Sequence, residues 1–448
     1  MAHVLPFRGV RYNAEKVGDL AAVVSPPYDV ISADARRDLH RRHPHNVVRL
    51  ILGEDRAGDD GTENRHLRAR RSFQEWEASG ILLRDPDAAF YVYEQQYLWK
   101  RKESRVRLGL IGAVRLEEYG TGVVFPHEHT MPAPKADRLQ LMQALPVDLE
   151  QIFCFYPGPS RPMTDLLFPV TQASPLCDFG DGAGVRHRVW MVRDRATIAG
   201  VAAALRDRPL FIADGHHRYE TALAFRDQLR RTDATPAPGK AYNFVMMTLV
   251  SVEDRGLTHL PTHRLIQAEW GRAGAEILSA LTPYFLVEER RLGGGEGVLQ
   301  KYLDEMEERG RHGHVFGLYT GGETLVLLTM KDRGLVERLA EPVRGTPLLA
   351  LDVVILEHII FQKLLDLRNA ELIRFTQDEG AAVREVQEGR AAAAFFLNPT
   401  PLSQITAAVT AGERLPPKST YFYPKLLSGL VFFKVDPTEV LDVSVMGS

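Results

Sequence analysis

The chain has 448 residues, 45% hydrophobic and 25% charged, with a formal net charge of −3 at pH 7. This is ordinary globular composition with room for two or three domains, and near-neutral charge without a Lys/Arg tail argues against a non-specific nucleic-acid footprint. Only Cys154 and Cys177 are present, too few for a disulfide framework or a Cys-based zinc site, and no apolar run suits a signal peptide or a membrane span, so a soluble cytoplasmic protein with no membrane partner is expected.

In chain order, an apolar run at 21–24 stops at Ser25-Pro26-Pro27-Tyr28-Asp29. Two prolines fix an extended backbone and remove two donors, which places Tyr28 and Asp29 on a rigid loop; a plain strand-ending turn is the competing reading. Helical spacing follows at 33–43, where Arg36, Arg37, Arg41 and Arg42 read as a solvated face. Residues 47–52 read as a strand, 57–63 as an exposed loop and 65–79 as a helix stopped by Gly80. Strands at 89–97 and 106–115, joined by the charged turn KRKES, read as a hairpin. A polar stretch follows, Phe125-Pro126-His127-Glu128-His129-Thr130-Met131-Pro132-Ala133-Pro134-Lys135-Ala136-Asp137-Arg138. Its prolines keep the first half out of a helix, whereas 137–145 has helical spacing. Such a density of ionisable groups suits a site, although loops are polar by default.

Strands at 151–156 and 188–192 and an Ala-rich helix at 197–206 lead to the central motif. Residues 210–213 read as a buried strand, and Tyr219, Ala222, Leu223, Phe225 and Leu229 then recur at helical spacing. Ala213-Asp214-Gly215-His216-His217-Arg218-Tyr219-Glu220 is therefore a strand-to-helix turn. Gly215 permits a tight turn or close ligand approach, and Asp214 is placed to be the helix N-cap. A helix start offers N–H groups and a positive dipole end to an anion, and Arg218 adds a fork suited to phosphate. Asp-Gly before a helix is ordinary capping chemistry, but capping requires neither two adjacent histidines nor an arginine.

A loop at 232–240 and a buried strand at 244–250, with Met246 and Met247 in the core, come next. His263 and Arg264 are expected at the start of a helix reaching about 281, where cations oppose the dipole and invite an anion. Beyond 265 the alternation suggests a second α/β unit, with the glycine run GGGEG at 293–297 as a flexible joint. A helix at 298–309, a hairpin at 315–330 turning at Thr320-Gly321-Gly322, an apolar helix at 352–365, a strand at 374–376, a helix at 378–388, a strand at 392–397 and a helix at 402–411 complete it. Last, prolines bracket Lys418-Ser419-Thr420-Tyr421-Phe422-Tyr423 ahead of Lys425, a composition suited to stacking a base and holding phosphate. A Tyr-rich edge strand has the same composition.

The stretches SPPYDVI, HEHTMPAPKADR, DGHHRYETA, YNFVMMTLV, LPTHRL and PPKSTYFYPKL together resemble a prokaryotic family, domain of unknown function 1015, along nearly the whole chain. The family is described as ParB/sulfiredoxin-like. The resemblance implies an α/β fold, with a ParB-like nucleotide-binding unit over 1–265 and a second α/β unit over 266–448 that closes the site with KSTYFYPK. ParB-like proteins bind nucleotides at the equivalent motif, and one branch contains free-serine kinases that use ADP. A nucleotide partner, ADP or ATP, with Mg²⁺ admitted, and a small-molecule substrate, serine or phosphoserine, are therefore implied. In phosphoryl transfer a protein positions substrates, neutralises phosphate charge and supplies a base. Glu128 is the first choice for the base with His127 and His129 as helpers, and Asp214, beside His216, is the alternative base or a Mg²⁺ ligand. Gly215, His217, Arg218, Lys135, Arg138, Tyr28, Asp29, Lys418, Ser419, Thr420 and Lys425 would hold nucleotide or phosphate. Two other readings stay open. One is a ParB-type nucleotide switch acting on a protein; the other is a metal-dependent hydrolase with His127, His129, Asp214, His216 and His217 as ligands, though the spacing is not the helical H-E-x-x-H.

Overall fold

The computed structural model describes residues 1–100, 103–293, 297–332, 334, 338–339 and 343–446. Arg101 and Lys102 of the KRKES turn, and residues 294–296 of the expected glycine joint, lie outside the described residues. The fold is α/β and divides into two compact units. One comprises Met1–Pro126, Thr130–Thr258 and Pro424–Ser448, the other His127–His129 and His259–Tyr423.

The first unit is built on a sheet with the strand order Val124–Phe125, Leu210–Asp214, Ile152–Tyr156, Phe244–Ser251, Glu103–Arg115, Phe90–Trp99, Arg186–Val192 and Cys177–Gly180, and Val4–Leu5 also pairs with Glu103–Arg115. Ile152–Tyr156 runs parallel to Phe244–Ser251 and antiparallel to Leu210–Asp214, so the sheet is mixed. Both of those central strands are buried at every position, as continuous apolar runs covered on two faces must be. Ile152, Cys154, Ile212, Tyr219 and Met247 meet in the core. A second core joins Phe73 and Trp76 of the helix Arg65–Ala78 to Leu50, Ile51, Leu141 and Phe432.

Two expectations change here. Residues 47–52 do not form a strand: Val48–Ile51 is a helical turn with Val48, Leu50 and Ile51 buried. A short apolar run does not distinguish strand from buried helix, and Asn46 decides it by accepting from Val48 N at 2.9 Å while donating to Ala22 O at 2.8 Å. The C-terminal segment Pro424–Ser448 lies with the first unit, although residues 266–448 were expected together. Phe433–Lys434 pairs with Val147–Asp148, Val10 and Phe432 exchange backbone bonds of 2.9 Å, and Ser25 bridges Ser428. Burial of Phe432 in the N-terminal core anchors that return.

In the second unit an antiparallel sheet runs in the order Phe285–Arg291, Thr324–Met330, Val315–Tyr319, Ala391–Phe396, His263–Gln267 and Ile373–Thr376. His263 and Arg264 thus lie inside a strand, not at a helix start, and the helix is confined to Gly274–Leu281. Both side chains are buried; Arg264 lies 4.7 Å over the Phe375 ring, and burial lowers its pKa to about 10. The anion expected at a helix start there loses its basis. The apolar stretch at 352–365 begins as the helical turn Asp352–Val354 and widens into a π-helix, Ile355–Leu364. No helix among the described residues is long and apolar enough to cross a membrane.

Candidate functional site

Against Ile152–Tyr156, the strand Leu210–Asp214 shifts register between Ile212 and Asp214, a break that re-aims side chains at the strand end. Gly215 then adopts φ 95° and opens the helix His216–Thr232. Asp214 is therefore the last strand residue, not the N-cap: the cap is Gly215, and no side chain caps the helix. A Cβ at Gly215 would come within 3.0 Å of the Arg218 guanidinium, so glycine serves both the left-handed turn and the close approach.

That contact shows how Arg218 lies, folded back over the turn. Its Nη1 donates to Gln151 O and its Nη2 is 3.8 Å from Asp214 Oδ2, while the buried Nε has no hydrogen-bond partner among the described residues. Burial works against the charge, but Glu150, Asp214 and Asp29 outweigh it and raise the pKa above the ordinary arginine value. Lys425 Nζ stands 3.3 Å from the same Asp214 oxygen. The first turn of the helix holds no acidic residue. The helix start, Arg218 and Lys425 thus surround the Asp214 carboxylate, and a phosphate oxygen in its place would meet helix N–H groups and both cations.

The other expected residues of this unit lie around that turn. Tyr28 opens the 3-10 turn Tyr28–Val30, its N–H donates to Glu150 Oε1 at 3.0 Å, and its ring lies 4.2 Å below the Arg138 guanidinium; Asp29 follows in the same turn. Arg138 also donates to Ile51 O at 2.6 Å and to Asp137. Lys135 Nζ and the Thr130 hydroxyl both reach Glu220 Oε2, at 2.8 and 2.6 Å. Met131 N donates to His217 Nε2 at 2.9 Å, so the segment before and within the helix Pro132–Ala144 is tied to the signature helix. His216 is buried. Lys135 and Arg138, expected to hold phosphate, are engaged by Glu220 and Asp137 here.

Sequence reasoning missed Asp148, Glu150, Gln151 and Glu220. Arg138, Asp148, Glu150, Arg218 and Thr221 line a cavity of about 50 Å³. Burial pushes the Asp148 carboxyl up to about 7 against the bond it accepts from Met246 N, and raises Glu150 against the pull of Arg218 and Arg138. The signal was present in Val147-Asp148-Leu149-Glu150, which sets two carboxylates two apart between apolar residues just ahead of a buried strand.

The remaining expected residues gather in the second unit. His127 Nε2 is 2.8 Å from Thr420 Oγ1, and Ser419 N donates to Glu128 Oε1 at 3.2 Å. Leu415 N donates to His127 O at 2.8 Å, continuing the backbone link between Glu128 and Leu415. Lys418 takes φ 58°, a left-handed conformation that side chains avoid and that functional loops tolerate. The HEH loop and the KST segment therefore meet, while Lys425 departs from that segment and pairs with Asp214. Among the described residues, no group of three or more His, Cys, Asp or Glu side chains suits a metal ion.

A mixed α/β sheet protein with a glycine-opened, cation-lined helix start is the class that fold and site define. The chain belongs to the family described as protein of unknown function (DUF1015), whose model matches residues 4–354. No curated protein matches it. Among solved structures it is similar to a conserved hypothetical protein from Pyrococcus furiosus, at 12% identity and TM-score 0.30, over 68% of this chain and 88% of that one. It is similar to a free serine kinase in complex with AMP, at 11% identity and TM-score 0.32, over 71% and 90% of the two chains. It is also similar to C-terminally truncated SbnI from Staphylococcus aureus, at 10% identity and TM-score 0.34, over 75% and 90%. At these TM-scores none of the three bears on the activity of this chain.

Proposed function

We propose that the protein catalyses nucleotide-dependent phosphoryl transfer to or from a small hydroxyl-bearing molecule, with serine and phosphoserine the first pair to test. The observation that carries this reading is the Gly215 turn, where a long helix starts beside Arg218 and Lys425, both facing the Asp214 carboxylate. A phosphate there would gain helix N–H groups and the charges of Arg218 and Lys425 together. ADP or ATP is the phosphoryl partner in this reading. As the substrate hydroxyl forms its bond to phosphorus, the bond to the leaving nucleotide oxygen breaks and a carboxylate takes the hydroxyl proton. Asp214 and Glu128 are the two carboxylates proposed for that proton. Mg²⁺ suits one or two carboxylates plus phosphate oxygens, and Asp214 is the carboxylate at the helix start; the ion would neutralise phosphate charge.

Purified protein is incubated with serine plus ADP or ATP, and separately with phosphoserine plus ADP, and phosphoryl transfer is measured. Substrate-dependent turnover is expected, and the Glu128→Gln and Asp214→Asn variants identify the base, which loses about 100-fold or more in rate with binding retained. Nucleotide binding with no turnover on any hydroxyl substrate would replace this reading with a nucleotide-responsive switch.

A further inference from the structure

The segment that carries Lys425 returns to the first unit without joining its large sheet as a strand: residues 425–427 have no regular structure, yet Leu426 and Leu427 are buried. Its carbonyls therefore need partners other than a ladder. Three side chains of the sheet supply them. Arg107 Nη2 donates to Pro424 O, Gln95 Nε2 to Lys425 O at 2.9 Å, and Gln151 Nε2 to Leu427 O at 2.9 Å. Gln95 and Arg107 are register partners on neighbouring strands and so share a face. Gln151 joins them there, since Arg107 lies 4.7 Å over the ring of Phe153, two residues on.

These side chains are themselves locked. Arg107 Nη2 also donates to Gln95 Oε1, and the Thr248 hydroxyl donates to Gln151 Oε1. A carbonyl only accepts and a guanidinium only donates, so each amide has one orientation that serves both neighbours. Gln95, Arg107, Gln151 and Thr248 are all buried, and burial lowers the Arg107 pKa to about 10. The other face of the same strands packs Val92, Leu110 and Cys154; polar groups at such depth are costly unless their bonds are kept.

The bonds bear on the Gly215 turn. With Pro424 O and Lys425 O both held, the main chain is fixed on either side of the Lys425 Cα, and Lys425 Nζ stands 3.3 Å from Asp214 Oδ2. Gln151 serves both cations at once: its side chain holds Leu427 O, and its own carbonyl accepts from Arg218 Nη1.

We propose that Gln95, Arg107 and Gln151 are positioning residues that fix Lys425, and through Gln151 also Arg218, on the Asp214 carboxylate. The consequence for nucleotide rests on the phosphoryl-transfer reading, whereas the placement of Lys425 does not.

The full-length protein is treated with limiting N-acetoxysuccinimide, and acetylation of each lysine is read by mass spectrometry. Lys425 and Lys434 belong to the same returning segment, with side chains 14% and 22% exposed, but Lys434 is held elsewhere, by Glu77. In wild type both should react more slowly than the exposed Lys301. Two variants are compared, Gln95→Met and Thr248→Val; the second removes the hydroxyl that orients Gln151 and serves alone should the first fail to fold. In each, Lys425 should react about fivefold faster or more, as loss of a hydrogen bond favours local opening, while Lys434 is unchanged. Equal acceleration of both lysines, as a merely structural role would give, an unchanged Lys425 in the folded variants, or a wild-type Lys425 as reactive as Lys301 would each overturn the proposal. In a separate calorimetric arm, Gln95→Met should weaken ADP by about tenfold in the wild-type background and add nothing further to Lys425→Met; additive losses would count against positioning through Lys425. A wild-type protein that binds no ADP would overturn the phosphoryl-transfer reading and leave the labelling to decide the proposal.

Discussion

Asp148 holds its proton far above the ordinary carboxylate range because it is buried, and the one backbone N–H it accepts, from Met246, offsets only part of that burial. The consequence for stability has a definite sign. In the unfolded chain an aspartate titrates near about 4, so its contribution is fully present below that pH and is lost as pH rises through about 7 in the folded protein. Over that window the loss is at most about 1.4 kcal/mol per pH unit. Asp148→Asn keeps an acceptor for Met246 N and removes the titration, so denaturant melts between pH 4 and 7 should show a flatter profile for the variant. Parallel profiles would contradict the assignment. At this scale the sequence exposed Asp214, Gly215 and Arg218, since polar residues after a buried strand need a reason. It marked Asp148 and Glu150 only by their alternation with apolar residues, because their burial depends on Phe433–Lys434, Met246 and Ser428, which are distant in the chain. It hid that Lys135 and Arg138 spend their charge on Glu220 and Asp137, pairings that only tertiary structure creates.

Among elements, the strand-to-helix turn was the most legible, since an apolar run gave way to helical spacing at one glycine. The same pattern reading failed where context overrode it. At 47–52 five apolar residues fit a strand as well as a buried helical turn, and Asn46 selected the turn. At 263 a histidine and an arginine read as a helix start, yet they lie in a strand, where Phe375 and the Thr262 carbonyl receive the Arg264 guanidinium. The π-helix left no trace in the apolar spacing. For the signature turn a direct prediction follows: Gly215→Ala forces a Cβ into the left-handed region and against the Arg218 guanidinium, costing about 1–2 kcal/mol. Thermal denaturation should show the loss, and nucleotide affinity should fall with it because Arg218 is displaced. A variant as stable as wild type with unchanged affinity would mean that the turn is not held as described.

For the molecule as a whole, the expected α/β class holds, while the chain is shared between its two units in a way that alternation alone does not reveal. The first unit is completed by Pro424–Ser448, which supplies the Phe433–Lys434 strand, the buried Phe432 and the Lys425 ammonium. Sequence gave no sign of this return, because short strands and single anchors carry no periodicity. A chain ending at Tyr423 should consequently lose the cooperative unfolding of the first unit, read by calorimetry, and a peptide of residues 424–448 added in excess should restore part of it. Unchanged melting of the shortened chain would contradict the anchoring role.

The central claim is that phosphate is held at the helix start by Gly215, Arg218 and Lys425. Isothermal titration of ADP and ATP into wild type, Arg218→Lys and Lys425→Met tests it most directly, with circular dichroism melts confirming that each variant is folded. Loss of the bidentate fork or of the neighbouring ammonium should weaken nucleotide binding by about tenfold or more in each variant. Folded variants that bind nucleotide as tightly as wild type, or a wild-type protein that binds neither nucleotide, would place the phosphate site elsewhere.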